Sequence, residues 1–260
     1  MNPFSRSFAT LGVRLQQDIC FVQMHRPEAG NAINSQLVEE LGAVLIECET
    51  RAKVVVLEGL PEVFCSGADF NELRARFDSG MSHPEQDPAP LYDLWQRLAM
   101  GPYISIAHVR GRAIAGGVGF VAACDIVLSD EKASFGLSEL LFGLLPACVL
   151  PFLIPRIGVG RANYLTVTTQ PISARQAEQW GLVDICDPNS DSLLKRQLVR
   201  LGRLGKDGIA RYKRYANSLD DALVAARPKA LQANLEAFSH PDNMHHIGRY
   251  VRTGRFPWEG

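Results

Sequence analysis

GRAIAGGVGFVAACD, Gly111 to Asp125, is the stretch on which the reading of this chain turns. Gly116 and Gly117 sit side by side, Gly119 follows, and a small apolar run comes after them. Glycine inside a helix costs roughly 0.5–1 kcal/mol relative to alanine, so three at a helix start need a physical reason. Close approach supplies one: something comes so near this backbone that a side chain has no room. The apolar run YISIAHV, Tyr103 to Val109, reads as a strand feeding this stretch through Arg110 and Gly111. Ile126 to Leu128 reads as another strand directly behind it.

The same order of elements occurs earlier. KVVVLEG, Lys53 to Gly59, is a continuous β-branched run of the kind found in strands buried on both faces. It leads through LPEVFCSGADFNEL, in which Gly67 permits a tight turn and Ala68 opens a helix with a free N–H. Two helix N-termini with orphan donors and small residues can converge on one oxygen. That is the geometry of an oxyanion hole, which favours negative charge on a carbonyl. Two tight turns with close helix–sheet packing are the competing reading.

Elsewhere, Ile19 to Met24 reads as a strand ended by His25-Arg26-Pro27. Leu37, Val38, Leu41, Leu45 and Ile46 have helical spacing, with Ser35 as the expected N-cap. MSHPEQDPAP, Met81 to Pro90, reads as a surface loop or mobile lid. From Ser173 onward the pattern is mostly helical. The chain is therefore expected to be α/β, with a core over residues 1–172 and a helical region over 173–260.

Composition narrows the classes. The chain has 260 residues, 47% hydrophobic and 21% charged, with net charge −1. This is the balance of a globular protein, and near-zero charge argues against bulk nucleic-acid binding. The 6 cysteines lie far apart with no CxxC pair, which points to reduced core residues and away from a disulfide frame or metal site. No apolar run approaches membrane-spanning length and MNPFSRSFAT carries no signal-peptide core, so a cytoplasmic protein is expected.

Taken together, HRPEAGNAIN (His25 to Asn34), FCSGADFNEL (Phe64 to Leu73), GRAIAGGVGFVAACD, ASFGLSELLFGLLP (Ala133 to Pro146) and PISARQAEQWGLVD (Pro171 to Asp184) resemble the crotonase, or enoyl-CoA hydratase, superfamily. The resemblance covers nearly the whole chain. It implies a spiral of ββα turns, followed by a helical C-terminal region that builds trimers, often paired into hexamers. It also implies that the N–H groups of Ala68 and Gly116 receive a thioester oxygen, with Gly67, Gly117 and Gly119 around the substrate.

One departure stands out. Hydratases of the superfamily carry a glutamate three residues after the oxyanion glycine, and Gly119 holds that place here. The second family glutamate is kept as Glu139, beside Leu137, Leu140, Leu141 and Phe142, where a raised pKa is expected. A single glutamate can run an elimination. It takes the C2 proton while the oxyanion hole holds the enolate, then delivers that proton to the departing hydroxyl.

The stretches GLPEVFCSGADF, PLYDLWQRL, SELLFGLLPACVLPFLIPRIG and RYVRTGRFPWE are similar to a subgroup attached to bacterial polyketide synthases. Its members work in β-branching and resemble dehydratases of 3-hydroxy-3-methylglutaryl groups on an acyl carrier protein. This implies substrate brought on phosphopantetheine; the sequence shows no metal cluster or nucleotide fingerprint, so no metal and no other cofactor is expected. A sister subgroup decarboxylates the product with a lysine and a C-terminal histidine. No lysine occurs in Tyr92 to Arg97, while His240, His245 and His246 keep the second feature open. A non-catalytic thioester-binding homologue and a coenzyme A isomerase also remain as alternatives.

Further candidates have bland competitors. Tyr92 is a candidate to point its hydroxyl into the site, against amphipathic packing. Asp69 reads better as a helix cap than as an acid. Arg74 and Arg76 are candidates to meet a distal carboxylate or a carrier protein, against a solvated face. Arg196, Arg200 and Arg203 follow i, i+4, i+7 within Lys195 to Arg214, which holds eight basic residues and one acid. An acidic carrier protein is the candidate partner of that stripe; a solvated face or subunit contact is the alternative.

Overall fold

The computed structural model describes residues 7–72 and 87–259. Arg74, Arg76 and most of the Met81–Pro90 stretch lie outside the described residues. In chain order the strands are β1 (Leu11–Gln16), β2 (Ile19–Met24), β3 (Val54–Glu58), β4 (Val63–Cys65) and β5 (Ile104–Val109). They continue with β6 (Arg112–Ile114), β7 (Ile126–Ser129), β8 (Ser134–Gly136), β9 (Ile172–Ser173) and β10 (Ile185–Cys186). The helices are α1 (Ser35–Arg51), α2 (Ala89–Met100), α3 (Gly116–Ala123), α4 (Leu150–Thr168) and α5 (Ala174–Trp180). Then come α6 (Ser190–Leu201), α7 (Lys206–Ser218), α8 (Ala222–Ser239) and α9 (Pro241–Thr253).

Two sheets organise the molecule. Six strands pair in the order β1-β2-β3-β5-β7-β10, and four shorter ones in the order β4-β6-β8-β9. β3, β5 and β7 are parallel neighbours in the first sheet; β4, β6 and β8 are parallel neighbours in the second. Three successive passes, β3–β4, β5–β6 and β7–β8, thus lay one strand in the large sheet and one in the small sheet before the chain crosses over. This is the ββα spiral, and the chain ends in the helical region expected from its pattern. The β-branched run of β3 is buried on both faces: Val55 and Leu57 join the main core, while Val54 and Val56 pack beneath Leu193 and Leu194 of α6.

Local chemistry sets the element ends, with one correction. Asn34, not Ser35, caps α1: its side-chain oxygen accepts from the Leu37 N–H at 2.9 Å, and Ser35 is the first helical residue. Both residue types cap equally well, so spacing alone leaves a one-residue ambiguity. α4 bends at Gly158, which has φ 79° and ψ 158° inside the helix. The main core runs from Leu11 to Ala230, so the helical region shares it. All 6 cysteines are buried and unbonded. Among the described residues no helix is long and apolar enough to cross a membrane.

Candidate active site

Two chain segments meet at the ends of the small sheet. The first is Ser66 to Asp69. Ile33 donates to the Gly67 carbonyl at 2.7 Å, and Asp69 donates back to the Ile33 carbonyl at 2.9 Å. In a parallel bridge of this kind the N–H of the residue between points the other way, so the Ala68 N–H is turned from Ile33. The second segment is Ala115 to Gly117 at the start of α3. A Cβ added to Gly67 (φ +94°) would lie 3.0 Å from the Ala115 Cβ and 3.9 Å from the Gly116 N, so the two segments run side by side. Among the described residues no group accepts from the N–H of Ala68 or of Gly116, and both line one cavity of about 990 Å³.

Ala115 holds the second donor in place at some strain. It sits at φ 51° and ψ −119°, a region that residues with a Cβ rarely enter. Its own N–H donates to the Gly136 carbonyl at 2.8 Å, which ties the head of α3 to the end of β8. β8 leads directly into a 3-10 turn, Glu139–Phe142, that carries Glu139 to the cavity wall. The Glu139 Oε2 is buried and has no hydrogen-bond partner among the described residues. Burial pushes its carboxyl up to about 7, opposed only by the N–H groups of Glu139 and Ser138. An orphaned buried oxygen that is half-ionised at neutral pH is suited to carry a proton both ways.

The glycines have a different explanation from the one first expected. At Gly117 a Cβ would meet the Cys65 carbonyl at 2.5 Å, and at Gly116 it would meet the Ile33 Cδ1 at 2.7 Å. At Gly119 it would meet the Trp95 ring at 2.5 Å. These are contacts with the protein itself: the Cys65 backbone forbids a side chain at Gly117, the Trp95 ring crowds one at Gly119, and at Gly116 the flexible end of Ile33 stands in the way. Gly116 also lines the cavity; Gly67, Gly117 and Gly119 stand behind its wall. The space beside Gly119 is filled by Trp95, which lines the cavity in its place and is held edge-on by Phe120 and Phe152 at 5.7 and 5.9 Å.

Tyr92 is not brought to the site. It is fully buried, and its hydroxyl donates to the Leu223 carbonyl at 2.7 Å. One turn along the same helix, Trp95 takes the wall position, and periodicity does not separate two buried aromatics three residues apart. Asp69 behaves as a cap: its Oδ1 accepts from the N–H groups of Asn71 and Glu72, and its Oδ2 pairs with Arg26 at 2.9 Å. The basic stripe is not brought to the cavity either. α6 lies on the face of the large sheet opposite the main core. Arg196 pairs there with Asp187 at 3.2 Å, and Arg203 falls beyond the end of α6, so the helical stripe is broken.

Sequence reasoning missed an aromatic wall. Phe70, Phe142, Tyr250 and Phe256 line the cavity, with centroids 5.1 Å apart for Phe70–Phe142 and for Phe142–Tyr250. Tyr250 comes from α9 and Phe256 from the tail behind it, so the C-terminal helices close the site. Among the described lining residues there is no lysine and no histidine. The described residues hold no cluster of three or more histidine, cysteine or carboxylate groups able to bind a metal.

Comparison with known proteins agrees with this arrangement. The family Enoyl-CoA hydratase/isomerase matches residues 14–260. Bacillaene synthase dehydratase PksH of Bacillus subtilis is 54% identical over 254 residues, 97% of this chain and 98% of that protein. The 2,3-dehydroadipyl-CoA hydratase of Escherichia coli is 33% identical over 229 residues, 86% of this chain and 85% of that protein. A crystal structure of pksH from Bacillus subtilis superposes with a TM-score of 0.94, covering 96% of this chain and 100% of that one. An enoyl-CoA hydratase/isomerase from Xanthobacter autotrophicus, 24% identical and covering 95% of each chain, shares the fold with a TM-score of 0.84.

Proposed function

The chain is a hydro-lyase of the enoyl-CoA hydratase/isomerase family, and from that premise we propose that it dehydrates a 3-hydroxy-3-methylglutaryl thioester carried on an acyl carrier protein. The product is the 3-methylglutaconyl thioester. The thioester oxygen sits between the N–H groups of Ala68 and Gly116. Glu139 takes the C2 proton, and the electron pair moves into an enolate held by those two donors. The C3–O bond then breaks, the C2–C3 double bond forms, and Glu139 returns its proton to the departing hydroxyl as water. A tertiary C3 carries its developing positive charge more readily than a secondary one, so one acid–base group serves both steps.

The observation that carries this reading is the buried Glu139 Oε2, unpartnered among the described residues, in a cavity with two N–H donors that no described group accepts from and no second carboxylic acid at Gly119. The similarity to PksH supports a place in polyketide biosynthesis. The phosphopantetheine arm of the carrier brings the substrate, and the reaction needs no further cofactor. Assembly into trimers or paired trimers in the cytoplasm belongs to the same proposal. Exposed Val159, Tyr164, Val167, Tyr212, Tyr215 and Leu219 supply apolar surface for it.

Mass spectrometry of a 3-hydroxy-3-methylglutaryl-loaded carrier protein after incubation tests the reading. Loss of water is expected. Starting from the 3-methylglutaconyl carrier, loss of carbon dioxide would make the chain a decarboxylase. No change in either substrate would make it a thioester-binding protein.

A further inference from the structure

We propose that Arg112 forms a carboxylate-binding subsite of this cavity and takes the far acid group of a dicarboxylic acyl chain. The assignment rests on the reading above that the cavity receives an acyl thioester. Strand alternation puts Arg112 and Ile114 on one face of β6, and both line the cavity, while Ala113 between them is fully buried on the other face. Of the two arginines on the described wall, Arg97 is paired with Glu49. The Arg112 guanidinium makes no hydrogen bond or ion pair among the described residues. Arg112 is exposed at the edge of this largely apolar wall, and a cation without a partner there is a ready counter-ion for an anionic group.

Its place along the strand sets what fits. Arg112 is four residues from Gly116, no more than about 13 Å at a strand's rise. An extended arginine and a five-carbon diacid together bridge that separation, with the thioester oxygen at Gly116 and the far carboxylate at the guanidinium. A shorter or neutral acyl chain leaves the subsite empty.

Calorimetric binding of glutaryl-pantetheine and of its terminal methyl ester reads the subsite without turnover. The wild type is expected to bind the acid about five- to tenfold tighter than the ester, as for one partly exposed charge-assisted pair. Arg112→Met is expected to bind the two alike, and Arg112→Lys to keep part of the preference. Equal preference for the acid in wild type and Arg112→Met would overturn the assignment, as would no preference in the wild type. A wild type that prefers the acid yet dehydrates no thioester would leave the subsite standing and remove the proposed reaction.

Discussion

At the scale of the residue, Glu139 carries the chemistry and its environment sets the pH at which it works. Its carboxyl stands at about 7, against an ordinary value of 4.5. As the base it must be ionised, so kcat/KM is expected to fall about tenfold per pH unit below about 7. Glu139→Gln keeps the shape and removes the proton carrier; turnover is expected to drop by roughly 10²–10⁴ with the fold retained. Stability moves the other way. Between pH 4.5 and about 7 the folded protein binds the proton that the unfolded chain has released, so stability falls as pH rises through that window. Glu139→Gln is therefore expected to be more stable than wild type at pH 8, by up to about 3 kcal/mol, and equal to it at pH 4. Urea titrations at the two pH values read this difference.

At the scale of the element, α2 and α3 fit each other through Trp95 and the glycine face. A methyl on Gly119 lies 2.5 Å from the indole ring, whose position is fixed by Phe120 and Phe152. Gly119→Ala is expected to destabilise by about 1–2 kcal/mol, overpacking outweighing the gain in helix propensity. Trp95→Leu makes room, so the double variant is expected to be more stable than the sum of the single changes, by at least 0.5 kcal/mol in a denaturant cycle. A strictly additive cycle would mean that the helices separate to admit the methyl. A second fit joins α6 to the large sheet. His108, fully buried on β5, lies 2.9 Å from Glu58 through Nδ1 and 3.0 Å from the Ser190 hydroxyl through Nε2. The order serine, histidine, glutamate is that of an acyl hydrolase. Ser190 is 2% exposed, however, and sits across the sheet from the cavity, so the chain of hydrogen bonds anchors α6. Burial works to raise the Glu58 carboxyl, but the His108 hydrogen bond and charge, with Arg110, outweigh it and hold it below its usual value.

At the scale of the whole molecule, the site is assembled from distant parts of the chain. Ile33, Ala68, Trp95, Gly116, Glu139 and Phe256 meet at one cavity. Arg200 and Arg203 lie on the other side of the large sheet. Arg200→Glu with Arg203→Glu is expected to leave kcat/KM for a carrier-bound substrate within about twofold at low salt. A loss that shrinks with added salt would bring the carrier's path over that face. The tail matters more than the stripe: Phe256 packs on Phe142 at 5.8 Å and on Tyr250 at 5.0 Å, so the last turn of chain completes the wall begun by the 3-10 turn.

The sequence alone determined the alternation of strands, the helical last third, the two small-residue turns and the single glutamate in an apolar run. Each is a local property: β-branching, period, a turn that needs glycine, a carboxylate among leucines. Local pattern put the cap at Ser35, one residue past Asn34, and offered Tyr92 for the site while passing over Trp95. Only the tertiary structure decided which aromatic faces the cavity, because that depends on what α8 and α3 offer each ring: a carbonyl at Leu223 for Tyr92, a bare glycine at Gly119 for Trp95. It likewise decided that the glycines make room for the protein's own atoms, a backbone carbonyl at Gly117 and side chains at Gly116 and Gly119. It set the arginines of α6 across the sheet, where their spacing carries no information about which face they share with the site. A residue's chemistry is written in the chain, but what stands opposite it is set by packing between segments far apart in sequence.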